Sequence, residues 1–266
     1  MTESAARQLI RLDTTVAHSA RLWNYLLGGK DHFAADRQAA TKLLAVMPEV
    51  TVSVRATRDF LGRVVRYLAA EAGVRQFLDI GTGLPNVNNA HEVAQAVAPE
   101  SRVVYVDNDP MVISHARALL TSTPEGATAH VDEDLRRPES IVEAASQVLD
   151  FNQPVAILLL GVLDFIVDDA LAHTVVEQLV ASVPSGSYLV ISHPTREVNA
   201  EGLDRAIYLW NSRGCAPICA RTPTAITAFF SGLDLLEPGV VTCTRWRPEH
   251  DDTMVVADFC GVGVKR

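Results

Sequence analysis

The spacing of apolar residues changes near residue 74. Upstream, 19–27 carries apolar side chains three and four residues apart until Gly28-Gly29 interrupts it, and a second helical segment starts near Ala34 and stops by Pro48. Phe60, Leu61, Val64, Val65 and Leu68 then mark one face of a third segment that Gly73 ends. This is the period of amphipathic helices, with glycine or proline as punctuation. Downstream, apolar residues gather into short runs at 76–80, 102–106, 127–131, 155–160 and 187–191, separated by helix-length segments at roughly 88–98, 110–121, 138–150 and 168–182. Strands alternating with helices predict an α/β fold, a doubly wound, mostly parallel sheet covered on both faces with right-handed crossovers. The nearly continuous apolar run at 155–160 reads as a central strand. Two later β segments, 240–244 and 254–259, are joined by a short connection containing Pro248, Glu249, His250, Asp251 and Asp252, and predict an antiparallel hairpin finishing the sheet. The chain thus divides into a helical extension and possible lid at 1–73 and an α/β core at 74–266. Within the core, 193–223 is the main interruption and a candidate substrate wall.

Composition narrows the partners. At 266 residues and 48% hydrophobic, the chain can bury a large core without staples. Its 23 Lys and Arg against 32 Asp and Glu leave a formal charge of −9, which argues against holding nucleic-acid backbone. The cysteines at 215, 219, 243 and 260 form no repeated pair spacing and fit a reducing compartment. The N-terminal MTESAARQLIRLD lacks the basic start, apolar core and cleavage site of a secretory signal. The longest apolar run, nine residues at 155–163, is too short to cross a bilayer as a helix. A cytoplasmic protein without membrane contact is the expectation.

The sharpest chemical signal is Asp79-Ile-Gly81-Thr-Gly83 directly after a strand, where glycines let a ligand approach the backbone closely. The next strand ends in Asp107-Asn108-Asp109-Pro110, where a carboxylate can accept both ribose hydroxyls of a nucleoside and the proline can start a helix. The third strand runs into Asp132-Glu133-Asp134-Leu135, and either aspartate can accept a proton from an adenine amino group. Three successive strand ends with compatible polar residues support an adenosine-containing ligand.

These residues also carry a resemblance. The segments beginning at Ala20, Gln76, Val104, Gly186 and Phe229, which read ARLWNYLLGGKD, QFLDIGTGLP, VYVDNDP, GSYLVISH and FFSGLDLLEPG, resemble an actinobacterial family of S-adenosylmethionine (SAM)-dependent methyltransferases of undefined substrate, within the class I superfamily. The resemblance implies a seven-stranded Rossmann-like methyltransferase sheet of order 3-2-1-4-5-7-6 with the seventh strand antiparallel. It implies SAM as cofactor and S-adenosylhomocysteine (SAH) as product. Carried over by position, Asp79, Gly81 and Gly83 surround the methionyl and sugar portions. Asp107 becomes the ribose ligand, Asn108 and Asp109 neighbours of the adenine, Asp134 its amino-group partner with Asp132 as the alternative, and Leu135 lies beside the ring. Pro85 stands where the general pattern often has a third glycine, and Asp164 where the close family commonly has a histidine.

The catalytic candidates are His193, Asp164 and Tyr25. His193, after the fifth strand, is a possible base for a hydroxyl nucleophile, or simply structural. Asp164 can accept a proton or orient a substrate, or cap the helix starting near Asp168. Trp23, Asn24, Tyr25, Gly28, Gly29, Lys30 and Asp31 make a glycine break among polar and aromatic groups, suited to closing over a cofactor or to an ordinary interhelical turn. Tyr208, Trp210 and Arg213 are candidates for the acceptor wall, with Trp246 and Arg247 at its rim. Neither the 132–134 carboxylates nor Cys215 with Cys219 supplies a coordination set, so no metal is expected. The expected function is methyl transfer to a small molecule; a non-catalytic SAM-binding regulatory or scaffold protein is the alternative. An NAD-dependent oxidoreductase is disfavoured by the short glycine motif.

Overall fold

In the computed structural model, which describes residues 13–212, 215–249 and 254–266, the change of period separates a helical extension from an alternating core. Three helices come first: α1 (Ser19–Leu26), α2 (Ala34–Val46) and α3 (Val50–Ala70). The alternation then runs β1 (Gln76–Ile80), α4 (Ala90–Val97), β2 (Arg102–Asp107), α5 (Pro110–Leu119), β3 (Ala127–Asp132), α6 (Pro138–Ala145) and β4 (Ala156–Leu160). After a 3-10 turn at Leu163–Phe165 come α7 (Asp169–Ala181), β5 (Tyr188–Pro194), α8 (Ala200–Asn211), α9 (Pro223–Ala228), β6 (Asp234–Leu235), β7 (Val241–Thr242) and β8 (Asp258–Val264). The first twelve residues of the expected extension, and His250, Asp251 and Asp252 of the expected hairpin connection, lie outside the described residues.

The strands form one sheet in the order β3-β2-β1-β4-β5-β8-β6, parallel from β3 to β5, with β8 antiparallel to β5 and to β6 and with β7 also paired to β8. The fold is therefore the doubly wound, Rossmann-like α/β sheet that the pattern predicts. Alternation along each strand feeds two cores. Leu78, Ile80, Val104, Val106, Ile157 and Leu159 face the layer of α6 and α7, whereas Phe77, Val103, Tyr105, Ala156 and Leu158 face α3 and α4. The stripe Phe60, Val64 and Leu68 of α3 is fully buried against this second face, so α3 is a layer on the sheet as well as part of the extension.

Several boundaries differ from the sequence expectation, for tertiary reasons. The fifth strand runs past Ile191 to Pro194 because β8 lies alongside it in register from Tyr188↔Val264 to Pro194↔Asp258; His193 is thus inside the strand, opposite Phe259. The expected hairpin keeps its antiparallel sense but not its bounds. Residues 254–257 are irregular and the strand starts at Asp258, while extended structure at 240–244 shrinks to Val241–Thr242 before a 3-10 turn at Cys243–Arg245. Arg63 of α3 explains the turn: its guanidinium donates to the carbonyls of Cys243 (2.6 Å) and Trp246 (3.1 Å). Trp246, expected at a rim, is fully buried edge-on to Phe60 and Tyr67, and Arg247 stacks over the Tyr67 ring at 3.8 Å. The sixth strand of the implied order is thereby split into β6 and β7, and the antiparallel strand is the eighth.

Candidate active site

Parallel strands deliver their carboxyl ends to one edge, and a cavity of about 220 Å³ lies there. Asp79, Gly81, Gly83, Asp107, Asn108, Asp134 and Leu135 all line it, with α1 contributing Trp23 and Asn24 from above. The glycine loop has the backbone that only glycine adopts easily: φ is +77° at Gly81 and +65° at Gly83. A Cβ on Gly81 would stand 2.5 Å from Val162 Cγ2, whereas one on Gly83 would meet nothing within 4 Å. The Gly83 N–H donates to Asp107 Oδ2 and the Asp109 N–H to Oδ1, each at 2.9 Å, which fixes the carboxylate at the cavity wall. Burial pushes the Asp107 carboxyl up, and raises Asp79 to about 7, with Arg58 opposing and Asp107 adding to the rise.

Of the two third-strand alternatives, Asp134 lines the cavity and Asp132 is exposed outside it. Asp134 accepts from the Asn108 amide and the Arg136 guanidinium, each at 3.2 Å. Asp109 is not at the cavity. Its carboxylate caps α5 through the Met111 N–H (2.8 Å) and pairs with His18 Nδ1 (2.9 Å), so the expected adenine neighbour holds α5 and the start of α1 together.

The catalytic candidates fare differently. His193 is fully buried and lines neither this cavity nor the one described next. Its Nδ1 lies 2.9 Å from the Pro194 carbonyl and its Nε2 faces Arg221 at 2.7 Å, while burial depresses its pKa to about 4. With both ring nitrogens engaged it presents no free base to a ligand. Tyr25 packs edge-on to His32 and also lines neither cavity. Gly28, Gly29, Lys30 and Asp31 form a turn outside both cavities, pinned because Asn24 Oδ1 accepts from the Asp31 N–H (3.0 Å) and the Asn24 side chain occupies the space above Gly29. Of the two, α1 lines both cavities and the glycine turn lines neither. Tyr208 is exposed away from both cavities, and Arg213 lies outside the described residues.

A second cavity, about 120 Å³, adjoins the first and shares Ser19, Trp23, Gly161 and Phe165 with it. Apolar side chains of α1, α2, α3 and α8 line it, together with Trp210, Asp164 and Asp258. Asp164 does not cap α7; Asp168 does, accepting from the Leu171 N–H at 3.0 Å. Sequence reasoning missed Arg58, Glu133 and Arg136 at the first cavity and Asp258 at the second. Arg58 was findable, since it stands between Val54 and Leu61 on the buried stripe of α3. Among the described residues, no cluster of His, Cys, Asp and Glu could hold a metal, and no helix is long and apolar enough to cross a membrane.

A mostly parallel sheet of this order, with an antiparallel strand beside β5 and acidic strand ends around one cavity, is that of the class I SAM-dependent methyltransferase superfamily. The pattern of the S-adenosyl methyltransferase family matches residues 5–266, and the chain belongs to that family. It is similar to the crystal structure of a DUF574 family protein from Streptomyces avermitilis MA-4680, at 43% identity and a TM-score of 0.93 over 96% of this chain and 100% of that one. It is also similar to a candidate methyltransferase from Thermobifida fusca YX, at 36% identity and a TM-score of 0.89 over 98% and 100%. An O-methyltransferase family 2 protein from Planctomyces limnophilus DSM 3776, solved with apigenin, shares the fold alone, at 15% identity and a TM-score of 0.51 over 88% and 66%. A search of curated proteins finds no match.

Proposed function

We propose that this protein transfers a methyl group from SAM to a small-molecule acceptor and that it belongs to an actinobacterial branch of its family, as the Streptomyces and Thermobifida relatives suggest. The observation that carries the reading is the convergence of Asp79, Asp107 and Asp134 on one cavity beneath a glycine loop. The residues fit the cofactor: the loop leaves open space beside Gly83, and the Asp107 carboxylate is oriented by two backbone donors. In this reading Asp107 would hold the ribose, Asn108, Asp134 and Leu135 the adenine, and Asp79 with Gly81 and Gly83 the methionyl portion. SAM supplies an electrophilic methyl group on a sulfonium.

The protein's contribution is alignment and exclusion of water. Trp23 and Phe165, common to both cavities, would orient the acceptor toward the strand edge, and α1 would cover the site. Residues 1–73 would serve as the helical extension that includes this cover, 74–266 as the methyltransferase core, and 193–223 as one wall. His193, tied between Arg221 and Pro194, would position the 3-10 turn at Leu163–Phe165 through Arg221, which donates to the Leu163 carbonyl at 3.1 Å.

Calorimetry with SAM, SAH and NAD tests the reading: SAM and SAH are expected to bind, and preferential binding of NAD would reject it. Asp107→Asn should weaken SAH binding by about 1–3 kcal/mol, through loss of a charge-assisted acceptor, and should lower the unfolding temperature modestly, because the amide can accept from only one of the Gly83 and Asp109 N–H groups; matched binding and unfolding measurements separate the two effects.

A further inference from the structure

The smaller cavity is a chemical anomaly. Its lining is otherwise uncharged, with Leu22, Leu43 and Val54 on one side and the rings of Trp23 and Trp210 on others, yet two carboxylates, Asp164 and Asp258, border it. They come from different elements, the turn after β4 and the start of β8. Asp164 is only 8% exposed, and its shielded Oδ1 has no hydrogen-bond partner. The nearby cation does not neutralise it by contact: the Arg221 guanidinium is taken up by Asp169 (2.9 Å), the Leu163 and Ile166 carbonyls and His193. Burial raises Asp164 to about 7, with Asp258 adding to the rise, and raises Asp258 to about 6. An unpaired carboxylate in an apolar cavity is costly unless a partner arrives with the ligand.

We propose that this cavity is the acceptor site and that it takes a small apolar amine as its ammonium ion, its ring or chain among Trp23, Phe165 and Trp210 and its nitrogen at Asp164 and Asp258. For transfer, the carboxylate pair would take one proton from the ammonium, and the freed lone pair would form the N–C bond as the methyl–sulfonium bond breaks to leave SAH, the product departing as the methylated ammonium. The proposal rests on the methyltransferase reading, since the shared wall of Trp23, Gly161 and Phe165 is what would bring an acceptor nitrogen to the cofactor cavity. The size is on the scale of a single ring: at about 120 Å³ the cavity is somewhat smaller than an engineered apolar cavity of about 150 Å³ that holds benzene, and it adjoins the first cavity across Trp23, Gly161 and Phe165. Aromatic walls and carboxylates both favour a cation, and both disfavour an anion.

The test uses the full chain saturated with SAH and titrated with benzylamine, benzyl alcohol and benzoate. Benzylamine is expected to bind at least about tenfold more tightly than benzyl alcohol, and benzoate not to bind. Asp164→Asn should weaken benzylamine by about tenfold or more while SAH affinity stays within about twofold; Asp258→Asn provides a second, independent variant should the first fail to fold. Equal binding of the amine and the alcohol, no binding of benzylamine, or an amine affinity untouched by a folded variant overturns the proposal. Failure of SAH itself to bind overturns the methyltransferase reading instead, so the two failures are distinguishable.

Discussion

At the scale of single residues, the site depends on groups held in states that water would not favour. Gly81 is one: left-handed backbone and the Val162 side chain 2.5 Å from where a Cβ would sit leave room for glycine alone. Gly81→Ala should cost about 1–3 kcal/mol in chemical denaturation and abolish measurable SAH binding, because relief requires the loop to move. Asp164 is another, and its effect has a definite sign. Its folded pKa, about 7 through burial with Asp258 adding and Arg221 opposing, lies above the ordinary carboxylate value, so the folded state binds the extra proton. Its contribution to stability is greatest below the unfolded pKa and is lost as pH rises toward 7. Asp164→Asn should therefore be nearly neutral at pH 4 and stabilising on the order of 3 kcal/mol at pH 8, a difference that thermal unfolding at the two pH values reads directly. That Asp79, Asp107 and Asp134 would meet at one cavity was legible because a parallel sheet delivers its strand ends to one edge. Asp109, expected beside the adenine, instead caps α5 and does not line the cavity; sequence cannot tell which way a strand-end carboxylate turns.

Among elements, α1 carries the most consequence. It forms one wall of both cavities, and it is tied to α2 by Arg21 and Asp36, 3% and 0% exposed, with Arg21 Nε 3.1 Å from Asp36 Oδ2. Asp36 also accepts from the backbone of His18 (2.9 Å) and Phe33 (2.7 Å), so one carboxylate anchors the starts of both α1 and α2. Asp36→Ala leaves a buried guanidinium without its counter-ion, held by the Asp13 and Val16 carbonyls, and should destabilise the chain by about 3–5 kcal/mol, measured by denaturant unfolding. If α1 is the cover, amide exchange over 19–27 should slow when SAH binds while the turn at 28–31 changes less; protection confined to 28–31 would reverse that assignment. The glycine pair suggested a lid because glycine marks freedom; the structure has Asn24 filling the space above Gly29 and accepting from the Asp31 N–H, which braces the turn against α1. The shortened β7 is a similar case: its sequence favours a strand, and Arg63 from α3 claims the carbonyls instead.

Across the whole molecule, α3 joins extension and core, since its buried stripe is continuous with the face of the sheet formed by Phe77, Val103 and Leu158. Heat unfolding followed by tryptophan fluorescence and by far-ultraviolet circular dichroism should therefore show one coincident transition, Trp23 lying in the extension, Trp210 of α8 packing against it, and Trp246 of the core packing on Phe60 and Tyr67 of α3. Two resolved transitions would mean that the extension folds by itself. The architecture was readable from sequence because period and alternation are local: a helix needs apolar residues every three or four positions and a buried parallel strand a continuous run, whatever lies beside them. The glycine loop and the acidic strand ends were readable because backbone geometry restricts which residues serve there. Only the tertiary structure decided that Asp132 points away while Asp134 lines the cavity, that His193 is locked between Arg221 and a carbonyl, and that Asp164 and Asp258, 94 residues apart in number, border one apolar space. Those outcomes depend on side-chain direction and on neighbours brought in from distant elements, which no local pattern encodes.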